Sequence, residues 1–197
     1  MSMKKKSFIH VYTGDGKGKT TAALGLTLRA LGAGLKVAFI QFMKARGYSE
    51  HRLMEGLSPN LTHLTVGKPF FIAKAGSISQ EDLDKISVEC IVFPPGNPPV
   101  EYVDLIQKGV EVATKALKSG EYDLVVLDEI NCALFFGLVD WPTVERLIDG
   151  RHEKTEVVLT GRGAPQDLID KADLVTEMRA IKHYFTQGVK ARKGIEN

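Results

Sequence analysis

The sequence predicts an α/β fold with a mostly parallel central sheet and helices on both of its faces. Two observations predict it. Near-continuous apolar runs alternate with segments of helical periodicity, which is how strands buried on both faces and their crossover helices read. The first of those runs leads at once into a glycine-rich turn and a helix, TGDGKGKTT at 13–21 followed by AALGLTLRALG. Strand, glycine turn and helix in that order form a phosphate-binding loop, which makes the fold P-loop NTPase-like, of the RecA-like kind.

In chain order, strands are expected at 8–12, 37–41, 61–66, 124–127, 156–160 and 174–175. The segment 22–31 is expected to be a helix with Leu24, Leu28 and Leu31 on one face, and 103–117 another with Val103, Ile106, Val110, Ala113 and Leu117 on one face. A further helix starts at Asp140, with Asp140 as N-cap, Pro142 in the first turn and Trp141 as a packing anchor. The stretches 49–60 and 67–99 carry fewer regular patterns, and FPPGNPP at 93–99 forbids a helix or a central strand. The less regular segment, about 45–100, is expected to cover the substrate. No internal repeat or domain boundary interrupts residues 1–197, which are read as one domain.

With 26 basic and 24 acidic residues and a formal charge of +2, the chain shows no basic stripe. No nucleic-acid or membrane partner is therefore expected. The short basic run at 4–6 and the cluster Lys190, Arg192 and Lys193 read as solvated tails. No apolar stretch reaches the length of a membrane span or a signal-peptide core, so a cytoplasmic location is expected. Cys90 and Cys132 lack C-x-x-C spacing, and His10, His51, His63, His152 and His183 are scattered. Neither set points to a disulfide framework or a zinc site.

Three motifs carry chemistry. In the loop, Gly14, Gly16 and Gly18 leave backbone N–H groups free to converge on an anion at the positive end of the next helix. Lys19 supplies an ammonium for the outer phosphates, and the Thr20 hydroxyl can ligate Mg2+. The familiar G-x-x-x-x-G-K-[ST] pattern would place a glycine where Thr13 stands, so the first turn of this loop must differ. The second motif is LVVLDE at 124–129, whose Asp128 and Glu129 end a strand about 110 residues downstream, where a carboxylate holds Mg2+ opposite the loop hydroxyl. The third is LTGRGAP at 159–165, where Arg162 projects from a strand end toward a phosphate or carboxylate. Lys44 and Arg29 are weaker candidates for phosphate contact.

These motifs, with TGDGKGKTTAALGLTLRALGAGLKVAFIQFMK at 13–44, VVLDEINCAL at 125–134, ADLVTEM at 172–178 and IKHYFTQGVKARKGIE at 181–196, together resemble the P-loop type of ATP:corrinoid adenosyltransferase. The missing first glycine is itself similar to that family's loop. The resemblance implies that a Co(I) corrinoid attacks the 5′-carbon of ATP and inorganic triphosphate leaves, with the cobalt as nucleophile. Carried onto this chain, it implies that the loop residues Gly14, Asp15, Gly16, Lys17, Gly18, Lys19, Thr20 and Thr21 cradle ATP, with Arg162, Arg29 and Lys44 as further phosphate contacts. Thr20 and Glu129 would hold Mg2+ with Asp128 in support, and Lys19, Glu129 and Arg162 would carry the catalytic charge. A homodimer and a reductase supplying Co(I) are implied as well. The chain departs from the family's G-x-G-F-T-W segment, having GKPFFI at 67–72; Phe70, kept from that segment, or its neighbour Phe71 is then the corrinoid-facing candidate, and either could instead be core. Two other classes compete: a P-loop ATPase or kinase acting on the γ-phosphate, and a non-catalytic protein whose loops are ordered by ATP.

Overall fold

The computed structural model describes residues 7–77, 83 and 89–196. The basic run at 4–6 and part of the 67–99 segment lie outside the described residues. Six strands form one sheet in the order β3-β2-β6-β7-β1-β8, with β1 Ile9–Thr13, β2 Val37–Phe42, β3 Leu61–Val66, β6 Leu124–Asp128, β7 Glu156–Thr160 and β8 Leu174–Glu177. Every neighbouring pair is parallel. All six carboxyl ends therefore open on the same edge, which is where α/β sheets bind ligands.

Helices α1 (Lys19–Gly32), α2 (Ser49–Met54), α3 (Val100–Ser119), α4 (Ile130–Phe136), α5 (Trp141–Asp149) and α6 (Gln166–Lys171) complete the layers. The central strands are buried along their whole length, which is why their sequences read as unbroken apolar runs rather than alternating ones. Successive side chains still point to opposite faces. Val37, Phe39, Leu124, Val126 and Val158 pack with Ala23 and Ala30 of α1 and Met54 of α2. Ala38, Ile40, Phe42, Val125, Leu127 and Leu159 pack with Ile106, Val110, Ala113 and Leu117 of α3 and Ile130 of α4.

The expected α3 stripe is buried except for Val103, which is partly exposed. The α1 stripe differs: Ala23, Thr27 and Ala30 face the sheet, and Leu28 is 60% exposed. Small side chains form that contact, and Leu24 and Leu31 flank it. Asp140 caps α5 as expected, accepting the Thr143 N–H at 3.0 Å, and Trp141 packs partly buried against the core.

The region read as irregular contains more order than its patterns imply. Residues 49–54 form α2, and two short strands, β4 (Phe71–Lys74) and β5 (Cys90–Phe93), pair in parallel as a second sheet. FPPGNPP does bar a strand: β5 stops at Phe93, the first residue of that stretch, and α3 begins just after Pro99. Cys90 and Cys132 are free thiols of intermediate burial. Among the described residues no helix is long and apolar enough to cross a membrane.

Candidate active site

The phosphate loop joins β1 to α1 at the open edge. Thr13 is the last residue of β1, and its hydroxyl accepts the Ala164 N–H at 3.3 Å. The turn starts one residue later than the familiar pattern, at Gly14, which takes φ 93°. A Cβ on Gly14 would stand 2.4 Å from the Met178 carbonyl oxygen at the end of β8, so only glycine fits there. The Gly16 N–H donates to that carbonyl at 2.6 Å. Gly18, at φ 119°, leads into α1 without a side-chain cap, leaving the first-turn N–H groups of the helix available to an anion.

Lys19 folds back over this loop. Its ammonium donates to the Gly14 and Gly16 carbonyls at 2.6 and 2.8 Å. Burial pulls its pKa down and the nearby Arg162 charge adds to the effect, opposed by Glu129. Lys17 reaches the other way, to the Tyr184 hydroxyl at 3.1 Å and Glu196 at 2.9 Å. Tyr184 and Arg192 also bond Glu196, so Arg192, read as part of a solvated tail, is ion-paired.

Asp128, at the end of β6, is fully buried at 0% exposure. Four donors saturate its carboxylate. Thr20 Oγ1 and Thr160 Oγ1 donate to Oδ1 at 2.9 and 2.6 Å. Gln41 Nε2 and Lys44 Nζ donate to Oδ2 at 3.0 Å each. Lys44 also donates to Thr20 Oγ1 at 3.2 Å. Burial alone would raise the Asp128 pKa, but Lys44 and the hydrogen bonds outweigh it and hold the carboxyl below its ordinary range. Burial likewise lowers the Lys44 pKa, and Asp128 and Glu129 more than offset this, so the ammonium stays charged.

Glu129 has the opposite environment. It takes a left-handed backbone, φ 63°, immediately ahead of α4, a conformation that costs a non-glycine residue about 1 kcal/mol or more. Thr160 Oγ1 secures it by accepting the Glu129 N–H at 3.0 Å. The Glu129 carboxylate is only partly buried and accepts the Cys132 thiol at 2.8 Å. Burial and the Glu129 charge push the Cys132 pKa up, so this thiol stays protonated.

The structure thus gathers Gly14, Gly16, Gly18, Lys19, Thr20, Lys44, Asp128 and Glu129 at one edge. Arg162 is exposed on the loop after β7, close enough for its charge to act on Lys19. Asp15 and Thr21 are exposed around the loop. Arg29 lies in the last turn of α1, where its charge acts on Tyr12; ten helical residues place it about 15 Å from Lys19. Phe70 packs edge-on to Tyr102, ring centroids 5.8 Å apart, among the partly buried core side chains, whereas Phe71 is 48% exposed.

Sequence reasoning missed Gln41, Thr160 and Cys132 as members of this cluster. Gln41 did leave a signal, since a polar residue within the buried run VAFIQF must find partners there.

A family model described as ATP:corrinoid adenosyltransferase BtuR/CobO/CobP matches residues 5–197. A corrinoid adenosyltransferase of Sinorhizobium sp is 35% identical, covering 98% of this chain and 81% of its own length. One from Pseudomonas aeruginosa is 33% identical over 98% and 84%, and corrinoid adenosyltransferase CobA of Salmonella typhimurium is 31% identical over 99% and 88%. The loop, the paired carboxylates and these similarities agree: the chain belongs to the ATP:corrinoid adenosyltransferase family, with ATP and a corrinoid as its substrates.

Proposed function

We propose that the carboxyl edge of the sheet holds the triphosphate of ATP as a leaving group while the Co(I) of a reduced corrinoid attacks the 5′-carbon. A cobalt–carbon bond forms as the 5′-carbon–oxygen bond breaks, and that bond's electron pair departs with inorganic triphosphate. The observation that supports this best is the juxtaposition of Lys19 and the uncapped start of α1 with the Thr20–Asp128–Lys44 cluster. It offers cationic and N–H donors to a highly charged leaving group, where charge develops as the bond breaks.

In this reading Gly14, Asp15, Gly16, Lys17, Gly18, Thr20 and Thr21 form the cradle. Lys19 exchanges its carbonyl partners for phosphate oxygens, and Arg162 meets the triphosphate from the loop after β7. The residues also fit Mg2+. Thr20 donates its proton to Asp128 and offers its lone pairs to the Lys44 cation, and the partly exposed Glu129 adds a carboxylate. Thr20 and Glu129 would hold the ion, which when bound neutralises triphosphate charge. Asp128, already saturated, supports Thr20 from behind. Phe71, rather than the packed Phe70, is the aromatic ring available to a corrinoid.

Co(I) must be supplied by an electron donor, so a reductase partner is part of the reading. A homodimer stands on the family resemblance, and a cytoplasmic setting is consistent with two free thiols.

Phosphorus NMR of an anaerobic reaction with Mg2+, ATP and chemically reduced cobalamin tests the leaving group. One inorganic triphosphate per adenosylated corrinoid is expected. ADP with phosphate in its place would support the ATPase alternative.

A further inference from the structure

Gln41 is fully buried, and its amide nitrogen faces Asp128 Oδ2 at 3.0 Å. An ionised carboxylate only accepts, so the group facing it must be the amide NH2, and Gln41 Oε1 points away. There it meets two imidazoles: His51 Nε2 and His63 Nε2 each lie 2.8 Å from Oε1. An amide oxygen has two lone pairs, so both histidines donate through Nε2–H. His51 supplies an independent check, because its Nδ1 accepts the Gly47 N–H at 3.2 Å, which requires a neutral ring protonated on Nε2. The two rings stand 5.0 Å apart, one at the start of the chain's covering segment and one on β3. Turning the Gln41 amide over would set its oxygen against the carboxylate and its NH2 against two N–H groups. One orientation satisfies every group; His51, whose tautomer the Gly47 N–H fixes, enforces it, and His63 adds a second donor to the same oxygen.

We propose that Gln41 is a positioning residue for adenosyl transfer. It holds Asp128 in the orientation that receives Thr20 and Lys44, and His51 and His63 hold Gln41 in the amide orientation that makes this possible. The inference rests on the reading that Thr20 and Asp128 serve the triphosphate and its Mg2+. It joins residues from β2, β3 and the segment after Gly47 to a single oxygen of the site, so that the covering segment and the phosphate edge share one hydrogen-bond chain.

A double-mutant cycle read on magnesium dependence tests it. The half-saturating Mg2+ concentration and kcat are measured in anaerobic adenosylation of reduced cobalamin at saturating ATP, alongside thermal melting. The proteins are wild type, Thr20→Ala, Gln41→Met, His51→Leu and the Gln41→Met/His51→Leu pair. Losing a hydrogen bond to the charged Asp128 is expected to raise the half-saturating Mg2+ in Gln41→Met roughly tenfold or more. His51→Leu is expected to raise it roughly threefold, and the pair no further than Gln41→Met alone, because His51 acts through Gln41. Lower melting temperatures with unchanged magnesium dependence would overturn the proposal, as would effects of Gln41 and His51 that multiply. If Gln41→Met does not fold, His51→Leu and His63→Leu decide by the same readout: a raised half-saturating Mg2+ supports the proposal and an unchanged one overturns it. Thr20→Ala separates the two levels. If it leaves magnesium dependence unchanged, the metal reading fails and this inference with it; if it raises that dependence while Gln41→Met does not, only this inference fails.

Discussion

The carboxyl edge of the main sheet and the segment between β3 and α3 are held by different forces. At the edge, backbone ladders fix β1, β6 and β7 side by side in parallel register. Side-chain hydrogen bonds of 2.6 to 3.0 Å then tie Asp128 to Thr20, Thr160, Gln41 and Lys44. Between β3 and α3, a separate two-stranded sheet attaches to the core through packing, with Phe70 on Tyr102 and Phe93 on Phe136. A polar network specifies positions to fractions of an ångström, whereas apolar contacts tolerate replacement of similar volume. In the proposed reading the charged triphosphate sits on the first kind of region and the bulkier corrinoid meets the second.

Substitutions at the edge should therefore remove activity with little loss of fold, and substitutions in the attached segment should divide into those that unfold and those that alter corrinoid use. The largest effect is expected from Lys19→Ala, which removes the ammonium that the proposed function sets against the triphosphate. A fall in kcat/KM of about a thousandfold, with a melting temperature near wild type, would match; normal turnover would remove the loop from the site. Glu129→Gln comes next. It should lower magnesium-dependent kcat by roughly ten- to a hundredfold, with unchanged corrinoid KM, because the carboxylate is partly exposed and its backbone turn is secured by Thr160. A matching collapse in stability would instead make Glu129 a structural residue.

The two adjacent phenylalanines sharpen the contrast. Phe70→Ala, which empties a packed position beside Tyr102, should cost about 2–3 kcal/mol in denaturant unfolding. Phe71→Ala, at an exposed position, should stay within about 0.5 kcal/mol while raising the corrinoid KM. Reversal of that pattern would exchange their roles. The smallest effect is on acid stability. The folded Asp128 pKa is depressed, so its stabilisation is present above the ordinary carboxylate pKa and is lost as pH falls through the folded value, below about pH 4. Lys44, whose pKa is raised, keeps its contribution below its ordinary pKa near 10.4 and loses it only at higher pH. Between those limits this pair should add no pH dependence. Asp128→Asn should flatten the acid limb of an unfolding titration, and an unchanged limb would show that other carboxylates govern it.

Legibility in the sequence followed the same division. The central strands, buried on both faces, announce themselves as apolar runs, the half-buried β3 and exposed β8 still carry apolar residues, and the loop and Asp128–Glu129 pair stood at strand ends, so the six-stranded sheet and its loop-bearing edge could be read from residues alone. Lys44 could be named but not placed, since only the β2–β6 register brings the chain after Phe42 beside Asp128. Thr160 gave no local signal, because its role arises from the adjacency of β6 and β7; Cys132 reaches Glu129 from three residues along the chain, a contact that only the left-handed turn at Glu129 and the start of α4 make evident. The Leu28 error has a plain cause: leucines at helical spacing outweighed Ala23, Thr27 and Ala30, which form the actual contact with the sheet. β4 and β5 were missed because four residues each, partly exposed, give too short a pattern to separate from loop.

The most direct test is to follow the 5′-carbon itself. ATP labelled at that carbon is incubated anaerobically with the protein, Mg2+ and reduced cobalamin, and the label is traced through the separated products. Recovery of the label in the corrinoid, carbon bound to cobalt, one for one with inorganic triphosphate, is the predicted result. Label remaining in ADP, or in unreacted ATP while Co(I) persists, would contradict adenosyl transfer at this edge.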